Sequence, residues 1–147
     1  MHIVVQEAPF NLAVQIDEFT RAQKSSGAIV CFTGIVRDLP DGGLQHMLIE
    51  HYPSMTEKAL GDIADQAFTR WALEDVRVIH RYGKLQPGQL IMMVATASAH
   101  RKSAFEAADF LMDYLKSRAP FWKKEVTRAG AGWVDAKETD ETALNRW

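Results

Sequence analysis

Lys116, Arg118, Lys123, Lys124 and Arg128 fall within one short stretch of a 147-residue chain, with Glu125 as the only acidic residue among them. The whole chain has formal net charge −2 at pH 7, so this is a local basic site on a mildly acidic protein. Between Lys116 and Lys123, Ala119-Pro120-Phe121-Trp122 turns the chain and sets large apolar groups beside the amines. Desolvation and a neighbouring cation each lower a lysine pKa. A lysine tuned in this way can act as acid or base near neutral pH, or hold an anion when charged. Lys116 also falls in the last turn of a predicted helix, where a cation complements the helix dipole. Spacing alone leaves open whether it does chemistry or only completes that helix end.

His100-Arg101 follows an apolar strand and precedes a helix. Free amides at a helix start favour anions, an arginine fork suits phosphate, and a histidine can carry a proton. The pair is equally readable as an exposed element boundary. Arg37 ends an apolar strand at the loop 38–43, which matters only if that edge faces the other cations. His46, His51 and His80 lack metal-ligand spacing and no cysteine pair exists, so they read as structural or surface residues and no metal is expected. Cys31, between Val30 and Phe32, reads as a small core residue. The six methionines read as core filling. Gly42-Gly43 is a turn, since the Walker and dinucleotide patterns are missing.

The elements that must position these residues follow from periodicity. Residues 2–7 form a short strand. Asn11 caps a helix over about 12–25 with Leu12, Ile16 and Phe19 on one face. Residues 27–37 are apolar and β-branched, a buried strand, and 44–52 return as a strand after the Asp41-Gly42-Gly43 turn. Ser54-Met55-Thr56-Glu57 reads as a capping box before a helix with Leu60, Ile63, Ala64, Ala67, Phe68 and Trp71 at helical spacing. Strands follow at 75–82 and 90–99 around the Pro87-Gly88 turn. Ser103–Glu106 reads as a second capping box, and the helix with Phe105, Ala108, Phe110, Met112 and Leu115 runs to about Arg118, where Pro120 stops it. A last strand is expected over 132–136, then a polar tail. Two hairpins interspersed with three main helices predict an α+β fold with a mainly antiparallel sheet, a single domain over 1–147.

Composition excludes several classes. Hydrophobic content of 47% and charged content of 24% are those of an ordinary globular protein. A single cysteine rules out an internal disulfide framework and suits a reducing compartment. With no apolar run near the ~20 residues of a membrane helix and no signal-like N-terminus, a cytoplasmic protein is expected. The near-neutral balance argues against nucleic-acid binding.

The stretches GIVRD (34–38), EHYPSMTEKAL (50–60), SAHRKSAFEA (98–107), LKSRAPFWKKE (115–125) and the closing WVDAKETDETALNRW resemble the large, catalytic subunit of molybdopterin synthase, over nearly the whole chain. The resemblance implies a hammerhead-like α+β fold and an enzyme that installs the dithiolene sulfurs on cyclic pyranopterin monophosphate, a sulfurtransferase without a cofactor of its own. It implies a small ubiquitin-like partner whose C-terminal Gly-Gly thiocarboxylate delivers the sulfur, and a homodimer of large subunits within a heterotetramer. It further implies Lys116 as main catalytic lysine and Lys123 as the second. Arg37, His100 and Arg101 would bind the substrate phosphate, and Lys137 would be a basic contribution from the tail, across the dimer or within it. This chain ends Asn-Arg-Trp and its one thiol reads as buried, so a partner must present the sulfur. Two other readings use the same residues: a non-catalytic module that captures an acidic tail or phosphorylated ligand, and a single-strand nucleic-acid binder built on Phe121, Trp122 and the lysines.

Overall fold

Two four-stranded sheets carry the architecture, described for residues 1–147 in a computed structural model. The elements are β1 (His2–Gln6), α1 (Leu12–Ala22), β2 (Ala28–Ile35), β3 (Leu44–His51), α2 (Met55–Arg70), β4 (Asp75–Arg81), β5 (Gly83–Leu85), β6 (Leu90–Ser98), α3 (Arg101–Ser117), β7 (Phe121–Thr127), β8 (Gly130–Trp133) and α4 (Glu138–Ala143), closed by a 3-10 turn at Leu144–Arg146. The first sheet has the order β1-β4-β6-β2 and the second β5-β3-β7-β8. Every pairing is antiparallel except β1 with β4. This is the expected α+β class.

Alternation along the central strands sorts the first sheet into two buried faces. Val76, Val78, Met92 and Val94 meet α2 and α3 through Leu60, Ile63, Ala107, Phe110 and Leu111. On the opposite face, Ile79, Met93, Ala95 and Ala97 meet Phe19 of α1. A third cluster of Val36, Leu44, Ile49 and Leu85 joins the two sheets.

Several expectations change. Strands 27–37 and 44–52 do not form a hairpin: β2 joins β6 in the first sheet and β3 joins β5 and β7 in the second. Gly42 and Gly43 do turn the chain, at φ 77 and 92, but they pass it from one sheet to the other. By contrast 75–82 and 90–99 do pair, as β4 with β6. The segment after Pro120 is a strand that periodicity missed, because its residues do not alternate: Phe121 and Trp122 are followed by the polar run Lys123-Lys124-Glu125. Its partner β8 ends at Trp133, earlier than expected. The polar tail folds into α4 and lies along α3. There Arg146 meets Asp109 and Asp113, and the Trp147 ring crosses those of Trp71 and Phe110 edge-on at 5.6 Å.

Neither capping box forms. Ser54 sits at φ 66, ψ −42 with no side-chain bond to the helix, whereas a capping serine needs extended backbone. Thr56 instead donates its hydroxyl to the Tyr52 carbonyl at 2.8 Å. α3 begins at Arg101, which leaves Ser103 inside the helix, and Glu106 accepts from Trp71 Nε1. Asn11 does cap α1, accepting from Val14 N at 3.1 Å. Cys31 is not a core residue. β2 is an edge strand, and its Cys31, Phe32 and Ile35 are exposed. Of the methionines, Met92, Met93 and Met112 fill the core, while Met1 and Met55 are exposed.

Candidate active site

Lys116 and Lys123 reach one place from two directions. α3 packs along β6 and β2, so its last turn, with exposed Lys116, lies where β2 ends. Pro120 stops the helix and the chain returns at once as β7. The pairing of β7 with β3 sets Phe121 opposite His51 and Lys123 opposite Ile49. Period-two alternation then puts Ile49, His51, Phe121 and Lys123 on one face of the second sheet. That face is the inner one, since Ile49 is 1% exposed. Trp122 and Lys124 point the other way, where Trp122 meets Tyr52 edge-on at 4.7 Å and the Lys124 amine lies 5.2 Å from the Trp133 ring. Adjacent lysines in the sequence therefore differ in kind: Lys123 is half-buried against the core, and Lys124 belongs to an outer surface.

Burial pushes the Lys123 pKa below the ordinary lysine value, and the charges of Lys116 and Lys137 push it the same way while Asp140 opposes them. These four groups thus share one local field. Asp140 is brought there by the tail: its carbonyl accepts from Ser117 Oγ at 2.9 Å, and the next residue, Glu141, pairs with Arg118. Arg118 is accordingly a tie for the tail, not a free cation. Lys137 immediately precedes α4, without a side-chain bond to the helix, and acts on Lys123 of its own chain.

His80, on β4, backs this site. It is 4% exposed and stacks on Phe121 at 3.7 Å between ring centroids. Its Nδ1 donates to the Arg81 carbonyl at 2.8 Å. Burial lowers its pKa to about 3, with Lys123 and His51 adding to the effect, so at neutral pH the ring is uncharged.

The remaining predicted residues divide. Arg37 follows Val36, whose side chain joins Ile49 in the cluster between the sheets, so Arg37 lies at the lysine end of β2. Its loop is pinned by Asp38, which accepts from the amides of Leu39 and Leu44 at 2.8 and 3.0 Å. His100 and Arg101 lie at the other end of α3, exposed. The helix has 17 residues, and at about 1.5 Å per residue Arg101 is roughly 22 Å from Lys116 along the axis. One chain alone therefore does not gather Lys116, Lys123, His100 and Arg101 around one ligand. Arg128 lies in the turn after β7, lining with Asp41 and Gln45 a shallow cavity of ≈ 550 Å³ that neither Lys116 nor Lys123 touches.

Sequence reasoning missed Asp140, which stands 17 positions from Lys123 and comes near it only through packing of the tail. It also missed that His51 and His80 stand behind the lysines. Strand register is the signal that places His51 there, and β7 was not recognised as a strand. No group of three or more His, Cys, Asp or Glu side chains is arranged to hold a metal. No helix is long and apolar enough to cross a membrane.

Residues 5–118 match the family described as MoaE protein. The molybdopterin synthase catalytic subunit of Cereibacter sphaeroides is 60% identical over 147 residues, covering 100% of both chains. A molybdopterin biosynthesis MoaE protein from Burkholderia ambifaria superposes with a TM-score of 0.85 at 48% identity, covering 99% of this chain and 97% of that one. A protein–protein complex of subunits 1 and 2 of the molybdopterin-converting factor from Helicobacter pylori shares the fold, with a TM-score of 0.76 at 20% identity over 92% and 90%.

Proposed function

Because the chain belongs to the MoaE family, we propose that it is the catalytic subunit of a molybdopterin synthase, which moves sulfur from the thiocarboxylate end of a small partner subunit to cyclic pyranopterin monophosphate. The observation that carries this reading is the junction of α3 and β7, where the exposed amine of Lys116 stands beside the half-buried amine of Lys123. Donor and acceptor are both anionic, so bringing them together requires fixed cations. Sulfur attack, opening of the cyclic phosphate and loss of water all move protons, and a lysine whose pKa is lowered releases its proton more readily than an ordinary one. Lys123 has that character. Lys116, open to solvent, is the amine an incoming peptide end reaches first. Docking the partner's tail there makes the attack effectively intramolecular, worth up to about 7–11 kcal/mol of barrier.

The chain's own thiol is no substitute donor. Cys31 lies in the middle of an edge strand whose backbone is open, but the sulfur is covered enough that burial raises its pKa. It therefore keeps its proton and remains a poor nucleophile.

His100 and Arg101 enter the site only from a second copy, given their distance from Lys116 in one chain. The exposed edge of β2, with Phe32 and Ile35 open, provides an apolar strand for such an assembly. Arg37 and Lys137 complete the cationic wall from the same chain as the lysines.

Reconstitution tests the reading: the purified protein, a thiocarboxylated small subunit and cyclic pyranopterin monophosphate are mixed and dithiolene product is measured. Product formation is expected. Tight binding of both components without product would leave only a capture module.

A further inference from the structure

His51 carries a buried polar atom that the fold leaves unpaired. Its Nδ1 is inaccessible to solvent and has no hydrogen-bond partner, although buried ring nitrogens are normally satisfied. The ring is held in place by Tyr82, 4.5 Å away between centroids, and by Phe121 at 6.2 Å. Lys123 stands diagonally across the strand pair, because His51 opposes Phe121 and Lys123 opposes Ile49. Diagonal neighbours on one face are about 7–8 Å apart, within reach of a long side chain. Lys123 is itself half-buried, and its one acidic neighbour among the groups that shift it, Asp140, acts through space from the tail. The other imidazole nearby, His80, donates from Nδ1 to the Arg81 carbonyl and is covered by Phe121, and no atom of it is both buried and unpaired.

We propose that His51 is a positioning residue for Lys123: a rotation of the lysine stem lets its ammonium donate a hydrogen bond to the unpaired Nδ1, with the imidazole neutral and its proton on Nε2. The pairing satisfies the one unpaired buried atom of the site, His51 Nδ1. It also gives the amine a fixed direction, which its tetramethylene stem lacks. The groups that face this amine are Lys116 from α3, Lys137 and Asp140 from the tail, His80 from β4 and His51 from β3, with Glu125 two residues along on its own strand. Among these His51 alone carries a buried side-chain atom without a hydrogen-bond partner. The proposal rests on Lys123 being a working lysine of the site, but it is testable without that premise.

The test uses the full chain with isotope-labelled lysine side chains, titrated by NMR without substrate, in wild type, His51→Leu and His51→Asn. A hydrogen bond to the ammonium favours its charged form. In His51→Leu the Lys123 midpoint is therefore expected to move to lower pH. In His51→Asn, whose carboxamide oxygen stands near the position of Nδ1, it is expected to return toward wild type. In the reconstituted synthase, His51→Leu is expected to lower kcat by about 10–100-fold, as for loss of a hydrogen bond to a charged group, with KM little changed and His51→Asn partly restored. An unmoved midpoint in His51→Leu overturns the proposal, as does a midpoint in His51→Asn displaced as far as in His51→Leu. A midpoint that moves while turnover stays at wild type keeps the pairing and instead removes Lys123 from the reaction.

Discussion

Replacing Lys116 by alanine separates chemistry from fold more cleanly than any other change in this protein. The side chain is exposed in the last turn of α3 and enters none of the salt bridges that tie α3 to the tail, which use Arg118, Asp109 and Asp113. Losing a cation at a helix C-terminus costs roughly 0.3–1 kcal/mol. Against this stands a gain at Lys123. Its folded pKa lies below the ordinary value, so the folded state disfavours the charged amine and is penalised at every pH below that lowered pKa. The penalty fades as pH rises toward 10.5, the ordinary value. Removing the like charge of Lys116 raises the folded pKa and relieves part of the penalty at pH 7. The two effects oppose each other, and net stability should change by less than about 1 kcal/mol. Loss of a fixed cation that stabilises charge developing in the transition state, by contrast, costs about 10²–10³ in rate, or roughly 3–4 kcal/mol of barrier. Urea denaturation and single-turnover dithiolene formation with the thiocarboxylated partner measure the two quantities on one preparation. Turnover within a few fold of wild type would refute the catalytic assignment. A large loss of stability would refute the placement of Lys116 at an open helix end.

Other expectations follow from the same geometry. His80 has a folded pKa of about 3 against 6.5 unfolded, so below about pH 6.5 the unfolded chain binds the extra proton and stability falls with pH. Its slope approaches about 1.4 kcal/mol per pH unit. Denaturation curves at pH 7 and pH 5 should show this, and His80→Gln should flatten it; parallel losses in both proteins would contradict the assignment. A Cβ at Gly27 would lie 2.5 Å from the Ala99 carbonyl oxygen, so Gly27→Ala should destabilise the β2–β6 pair by about 1–3 kcal/mol, read as a lowered Tm. Mixed assemblies of Lys116→Ala and Arg101→Ala chains should recover activity that neither variant has alone if two copies share each site. The absence of recovery would refute a site shared between two copies.

The class of fold and the identity of the principal elements were legible from local signals. Asn11 caps α1 because its short carboxamide reaches the Val14 amide, and that is a three-residue matter. The helical spacing of Leu60, Ile63, Ala64 and Ala67, or the apolar run of β6, likewise depends on neighbours in sequence. Capping boxes failed where the backbone around them was set from elsewhere: Ser54 enters the left-handed region, and no pattern of side chains announces that. β7 was missed because half its residues are polar, as befits a strand with one face on the outside.

What the sequence determined by itself, then, was composition, element type and the chemical character of the lysines, since these are properties of residues and their near neighbours. Tertiary structure alone decided which of them meet. Strand register turned Lys123 inward and Lys124 outward, tail packing brought Asp140 and Lys137 to Lys123, and the length of α3 carried His100 and Arg101 away from Lys116. Burial and Coulomb interactions depend on distance in space, and a chain that crosses between two sheets makes that distance unreadable from separation in sequence.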